Sequence, residues 1–165
     1  EVIAKLDRSV FSGGYLLGGK VTLEGGQAVR LRTPEPMPAG LYTARVTALT
    51  ELTACTKQTD SDGKKRFRHL RDIRDSSVKS SLARSIGERL GLLIPEDRLF
   101  VEILQAETST QKRRTFHIYK AQGISGEWVM RVNSLALWLL QVAARGLGLG
   151  GRVSLGYGAI RVEVM

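Results

Sequence analysis

The stretch that decides the fold is Gly148-Leu149-Gly150-Gly151-Arg152-Val153-Ser154-Leu155-Gly156-Tyr157-Gly158, close to the end of the sequence. Before it, residues 135–142 have helical apolar spacing, and after it residues 159–164 alternate as a strand does. A glycine-rich turn between a helix and a strand exposes backbone N–H groups that can approach a phosphate closely. The guanidinium of Arg152 adds a planar fork that matches phosphate oxygens. The stretch therefore predicts a phosphate-binding turn at the end of an α+β domain.

Working backward from this turn, apolar periodicity predicts the order strand, helix, strand, one or two strands, helix, strand from residue 41 onward. Ser76 or Ser77 begins the first helix, which Gly91 ends, and Asn133 or Ser134 begins the second, which ends at Gly146. The predicted strands are residues 41–52, 98–105, 115–121, 126–132 and 159–164. This is the βαββαβ order of a ferredoxin-like fold, an antiparallel sheet with two helices on one face.

Composition points to a polyanionic partner. The net charge is +9, and 17 of the 25 basic residues are arginine, the side chain best suited to bidentate phosphate contacts and base stacking. One cysteine and two histidines cannot build a disulfide framework or a standard zinc site, so we expect neither a metal nor another cofactor. No leader and no apolar run near twenty residues is present, which predicts a cytoplasmic protein without a membrane partner.

The glycine-rich stretch resembles the glycine loop of the RAMP proteins of CRISPR systems, and most resembles their repeat-processing endoribonucleases. The family pattern of glycines, a hydrophobic residue, a basic residue, a serine and an aromatic residue is matched in order by Gly148, Leu149, Gly150, Arg152, Ser154, Gly156, Tyr157 and Gly158. The resemblance implies a ferredoxin-like RAMP fold, often present in tandem. Residues 41–165 would form the RNA-binding domain, with a basic insertion at about 53–75. Residues 1–40 would be a strand-rich extension or part of a first ferredoxin-like unit.

The sharpest candidate outside the glycine stretch is the basic run at residues 64–74. If helical, this run is basic around most of its circumference and can lie in or along an RNA groove, whereas the alternative is a solvated charge run. The resemblance implies that the RNA is a CRISPR repeat hairpin or guide RNA, and that other effector subunits are possible partners. The predicted RNA-binding residues are Lys64, Lys65, Arg66, Arg68, Arg71, Arg74, Arg113, Arg114, Gly148, Gly150, Gly151, Arg152, Ser154, Gly156, Tyr157 and Gly158.

The resemblance also implies a metal-independent cleavage of precursor guide RNA. In this reaction the ribose 2′-hydroxyl attacks the adjacent phosphate and leaves a 2′,3′-cyclic phosphate, which requires a base, an acid and positive charge. Histidine is the usual base, and the chain offers His69, whose cationic neighbours favour its neutral form, and His117. Arginine and tyrosine groups acting by electrostatics are the alternative catalysts.

Two other functions fit the same residues. One is a non-catalytic RAMP subunit that binds guide RNA in an effector complex. The other is a general RNA-binding ferredoxin-like module unrelated to CRISPR systems. The chemistry of the reaction product and the preference for a repeat hairpin distinguish these three functions.

Overall fold

A computed structural model of the chain describes residues 15–17, 21–23, 34–53, 55–59, 65–69, 72–115, 119–151 and 157–165. The chain divides into two compact units, Glu1–Arg32 and Thr33–Met165. In the first unit, strands β1 (Tyr15–Leu17) and β2 (Val21–Leu23) form an antiparallel hairpin. The other residues up to 33 of the strand-rich segment predicted at 1–40 lie outside the described residues.

The second unit is built on one four-stranded antiparallel sheet. Its strands are β3 (Leu41–Ala48), β6 (Val101–Thr115), β7 (Tyr119–Asn133) and β8 (Ile160–Val164), and their order in the sheet is β6-β7-β3-β8. A separate hairpin, β4 (Cys55–Thr59) and β5 (Lys65–His69), lies between β3 and the first helix in the sequence. Numbered along the ferredoxin-like unit, the sheet order is second, third, first, fourth, as the split βαβ arrangement requires.

Strands β6 and β7 are longer than the sequence predicts. Each has 15 residues, and their pairing runs without a break from Val101↔Val132 to Thr115↔Tyr119, apart from a bulge between Ile103 and Gln105. The separate strand predicted at residues 115–121 is wrong, because the chain reverses inside that range. The alternating Phe116 and Ile118 are typical of a strand interior, and no glycine, proline, asparagine or aspartate marks the reversal.

The two helices agree closely with their predicted limits. Helix α1 comprises the consecutive segments Asp75–Ser80, Ser81–Ile86 and Gly87–Leu90, of which the middle one has π-type hydrogen bonds. It is followed by Gly91 at φ +69°, the left-handed conformation that favours glycine at a helix end. Helix α2 (Ser134–Val142) is capped by Asn133, whose side-chain oxygen accepts the Ala136 N–H at 3.0 Å. In the following segment, Ala143–Leu147, the backbone leaves the helical conformation at Arg145 and at Gly146, which has φ +125°.

Both helices pack on the same face of the sheet. That face presents Ala44 and Val46 from β3 and Trp128, Met130 and Val132 from β7, all fully buried. Helix α1 buries apolar side chains that recur at every fourth residue, and α2 is buried around most of its circumference. The helical core residues are Val78, Leu82, Ile86, Ala136, Leu137, Leu139, Leu140 and Val142. The ferredoxin-like prediction, an antiparallel sheet with two helices on one face, is confirmed.

Candidate nucleic-acid interface

The glycine-rich stretch connects α2 to β8, as predicted, and its two ends are described at residues 148–151 and 157–158. The Leu149 N–H donates to the Gly158 carbonyl at 2.8 Å, which closes the two ends against each other. Gly148, Gly150 and Gly158 have φ values of +70°, +89° and +86°. Glycine is therefore required at these positions by backbone conformation.

The two ends of the glycine-rich stretch are anchored on the segment that follows β3. The Gly151 N–H donates to the Thr53 carbonyl at 2.8 Å, and the buried Thr53 hydroxyl donates to the Gly151 carbonyl at 2.7 Å. The Gly158 N–H donates to the Glu51 carbonyl at 2.9 Å. A Cβ at Gly150 would lie 2.7 Å from the Thr53 carbonyl oxygen, so this glycine allows one backbone to approach another.

Helix α1 holds the stretch from the other side. The Gly150 N–H donates to the Ser81 hydroxyl at 2.8 Å, and Ser81 begins the π-type segment of α1. Thr53, Ser81 and Gly150 also line a cavity of about 20 Å³, with room for about one water molecule. Sequence reasoning missed Thr53 and Ser81, because they are 98 and 69 residues from their partners and nothing in their local pattern indicates the contact.

These contacts leave fewer backbone N–H groups of the glycine-rich stretch for binding a phosphate. The N–H groups of Gly150, Gly151 and Gly158 donate to the protein acceptors described above, and the Gly148 N–H donates to the Ala143 carbonyl at 2.8 Å. Tyr157 is buried. The RNA contact predicted for this stretch thus depends chiefly on residues 152–156, which include Arg152, Ser154 and Gly156 and lie outside the described residues.

The basic run at residues 64–74 is not a helix over its first half. Residues Lys65–His69 form β5, which pairs with β4 in the register Thr56↔Arg68 and Gln58↔Arg66. The helical alternative considered for this run does not hold for Lys65–His69, because these residues pair their backbone groups with the preceding strand instead. His69 pairs with Cys55 at the end of the hairpin. Arg74 is exposed and precedes α1, whereas Lys64 and Arg71 lie outside the described residues.

A second group of predicted RNA-binding residues lies at the far end of the long β6–β7 ribbon. Arg113 pairs with Ala121 and Arg114 with Lys120, immediately before the chain reverses. His117 belongs to the reversal itself, outside the described residues. The ribbon continues for seven residue pairs beyond Thr108↔Gly126, which is about 23 Å at the usual rise of a strand. The basic residues of the β4–β5 hairpin thus lie on strands separate from the four-stranded sheet, and those of the ribbon lie on the part of β6 and β7 beyond the pairing of β7 with β3.

The open face of the sheet, opposite the helices, carries paired charges. Arg45 Nε lies 3.2 Å from Glu127 Oε1, and the Thr47 hydroxyl donates to the other oxygen of Glu127 at 3.2 Å. Arg131 Nε lies 3.5 Å from Glu102 Oε2. Each arginine of these pairs is matched by a carboxylate, so this face offers little net attraction to a polyanion.

Within the described part of the chain, no group of three or more His, Cys, Asp or Glu side chains is placed to hold a metal ion. The helices described there include none that is both long and apolar enough to cross a membrane.

The fold has known relatives, although no family model and no curated protein sequence matches the chain. A Cas6 protein in a product complex has 16% identity and a TM-score of 0.55 over 74% of this chain and 51% of its own. A Cas6 substrate-mimic complex has 22% identity and a TM-score of 0.52 over 77% and 55% of the two chains. A Cas6-related protein from Pyrococcus furiosus has 14% identity and a TM-score of 0.52 over 98% and 61%.

At these identities the likeness shows the fold. The second unit has the ferredoxin-like fold of Cas6 and RAMP structures, and the resemblance that the glycine pattern predicted is confirmed at that level. The chain spans about half the length of the two Cas6 chains that it matches.

Proposed function

We propose that this protein binds the repeat RNA of a CRISPR array and cuts the precursor guide RNA without a metal ion. The observation that carries the proposal is the structural likeness to Cas6 chains, two of which are described as product and substrate-mimic complexes. The net charge of +9 and the two basic hairpins support a polyanionic ligand. The protein either releases the processed RNA or stays bound to it in an effector complex with other CRISPR subunits.

In the proposed reaction the 2′-oxygen attacks the adjacent phosphorus and the bond to the 5′-oxygen breaks. A base takes the proton of the 2′-hydroxyl, an acid protonates the departing 5′-oxygen, and cationic groups stabilise the charge that develops on the phosphorane. The products are a 2′,3′-cyclic phosphate and a 5′-hydroxyl. His69 is the first candidate for the base and His117 the second, since each belongs to a hairpin that carries arginines.

The division of labour within the site follows from charge and from backbone contacts. Arginine and lysine residues of the two hairpins neutralise phosphates, which positions the RNA without reading its sequence. Arg152 and Ser154 extend this contact from the glycine-rich stretch. Described glycines of that stretch are held by Thr53 and Ser81 immediately before residues 152–156 in the sequence.

The test is cleavage of a repeat RNA in the presence of EDTA, with the ends of the products identified by mass. We expect a cyclic phosphate, full activity in EDTA, and no cut when the 2′-hydroxyl at the cleavage site is replaced by hydrogen. His69→Ala should slow cleavage by about 10²–10⁴-fold with binding nearly intact, and His117→Ala is the matched variant that identifies the second candidate.

Three results separate the proposal from its alternatives. Tight, hairpin-specific binding without any cut identifies a non-catalytic RAMP subunit. Equal affinity for any structured RNA identifies a general RNA-binding protein. Cleavage that EDTA abolishes contradicts the metal-independent mechanism.

A further inference from the structure

The strand β8 is one edge of the sheet, and in the described part of the chain it pairs with β3 alone. The Met165 N–H donates to the Thr43 carbonyl at 2.9 Å, and the Leu49 N–H donates to the Ala159 carbonyl at 2.8 Å. Because backbone groups of an antiparallel strand alternate in direction, the odd-numbered residues of β8 bond to β3. The N–H and C=O groups of Ile160, Val162 and Val164 therefore point away from the sheet.

The sequence of this edge is complementary to itself in one antiparallel register. When two copies of Ile160-Arg161-Val162-Glu163-Val164 are paired about Val162, Ile160 of each copy lies opposite Val164 of the other. Each Arg161 then lies opposite a Glu163. The same register pairs the three residues whose backbone groups point outward, so sequence complementarity and hydrogen-bond direction select the same alignment.

The side chains on this edge are available for such pairing. Arg161 and Glu163 are 59% and 51% exposed, and within one chain their nearest charged atoms are 3.9 Å apart, which is a long ion pair. Opposite residues that do not exchange backbone bonds have the closest side chains in an antiparallel ladder. In the register about Val162, the two Arg161–Glu163 pairs occupy those positions.

The other edge of the sheet differs from β8. The strand β6 has a bulge between Ile103 and Gln105, the kind of irregularity that prevents pairing at exposed edges. The strand β8 is regular through all five residues that pair with β3. At one end of β8 lies Met165, 66% exposed, which supplies apolar surface beside the charged centre.

We propose that β8 is a dimerisation edge, on which a second copy of this chain adds its own β8 in antiparallel register about Val162. The two four-stranded sheets then form one continuous sheet of eight strands. Alternating charge makes the edge selective, because an unrelated strand or a shifted register places like charges or apolar residues against Arg161 and Glu163. This interface is separate from the proposed RNA-cutting function and does not depend on it.

The experiment is sedimentation equilibrium of the full chain without RNA, over a range of concentrations. We expect a concentration-dependent species of twice the 18.1 kDa chain mass. Arg161→Glu and Glu163→Arg should each weaken self-association by about tenfold or more, since each reversal places two like-charge pairs in the interface. When these two variants are mixed, every facing pair is again of opposite sign, and a heterodimer of parental affinity should form.

Two further variants control for folding and for charge in general. Val162→Pro removes an N–H that points away from the sheet, a position where an edge strand tolerates proline, so the monomer should keep its circular dichroism while the dimer is lost. Arg131→Glu reverses a charge on the same open face but on β7, away from the edge, and should leave dimerisation unchanged.

A chain that stays monomeric at all concentrations overturns the proposal. It is overturned equally if the mixed variants fail to associate although each keeps the parental circular dichroism, or if Val162→Pro dimerises like the parent.

Discussion

The two halves of the β6–β7 ribbon are continuous in backbone and opposite in charge. The ribbon base, residues 101–108 with 126–133, holds three glutamates and one arginine, and it packs in the sheet. The ribbon tip, residues 109–115 with 119–125, holds Lys112, Arg113, Arg114 and Lys120 and no acidic residue. Acidic residues therefore predominate in the half that pairs with β3, and basic residues in the half beyond it, where Ile124 is buried and pairs with Leu52.

The difference teaches that net charge alone does not locate the surface best suited to a polyanion. The open face of the sheet is the broadest surface that the strands offer, yet its arginines are matched by carboxylates. The positive excess lies on the β4–β5 hairpin and on the part of β6 and β7 beyond the pairing of β7 with β3. We expect a polyanion to be attracted there, because these strand segments contain no acidic residue.

The largest expected effect comes from the junction between ribbon base and ribbon tip. Gly126 has φ +141°, and a Cβ there would lie 2.1 Å from the Glu107 carbonyl oxygen. Gly126→Ala should lower the free energy of unfolding by about 3 kcal/mol through clash and strain. The measurement is the urea midpoint at unchanged m-value.

The matched control is Gly91→Ala, which has φ +69° but open space around the added Cβ. This variant should lower the free energy of unfolding by about 1 kcal/mol, because of the backbone conformation alone. Equal decreases in the free energy of unfolding of the two variants would show that the ribbon relaxes at the junction and that ribbon base and ribbon tip are not rigidly joined.

The next effect is on RNA binding by the ribbon tip. Replacing Lys112, Arg113, Arg114 and Lys120 together with glutamine should reduce affinity for a repeat hairpin by about 10²-fold at low salt and lower the salt slope by about three units. Fluorescence anisotropy across a salt series measures both. An unchanged slope would remove the tip from the interface and leave the β4–β5 hairpin as the main contact.

The smallest effect is expected from the ribbon base. Glu102→Gln removes one partner of the exposed Arg131 pair and should change the free energy of unfolding by less than about 1 kcal/mol. RNA affinity should stay within about twofold of the parent, because this face carries no excess positive charge. A gain of tenfold or more in affinity would mean that RNA contacts the sheet and that Glu102 opposes it.

Local pattern was sufficient for the helices and their order along the chain. The four-residue period of Val78, Leu82 and Ile86 predicted α1, and Asn133 predicted the start of α2. These features depend on contacts within a few residues, where periodicity and capping act. Local pattern did not decide between a helix and a solvated charge run at residues 64–74, and pairing with β4 makes Lys65–His69 a strand.

The glycine-rich stretch shows most clearly what a local sequence pattern cannot predict. Its glycines predicted a close approach of the backbone to a phosphate, and the structure shows that Gly150 instead lies close to another backbone group of the protein. The sequence could not indicate that the approached group is the Thr53 carbonyl, since Thr53 is separated from Gly151 by 98 residues. A requirement for glycine specifies a conformation and a short distance, but it does not identify the partner.

The sequence by itself determined the ferredoxin-like order of elements, the basic excess and the resemblance to RAMP proteins, because each is expressed in local periodicity, composition or a short motif. Only the tertiary structure decided which N–H groups the glycine-rich stretch keeps occupied, that the basic residues lie on the β4–β5 hairpin and on the ribbon tip, and that β8 forms an edge among the described strands. Those properties depend on pairing between strands and loops distant in sequence, whose partners are selected by the packing of the whole domain.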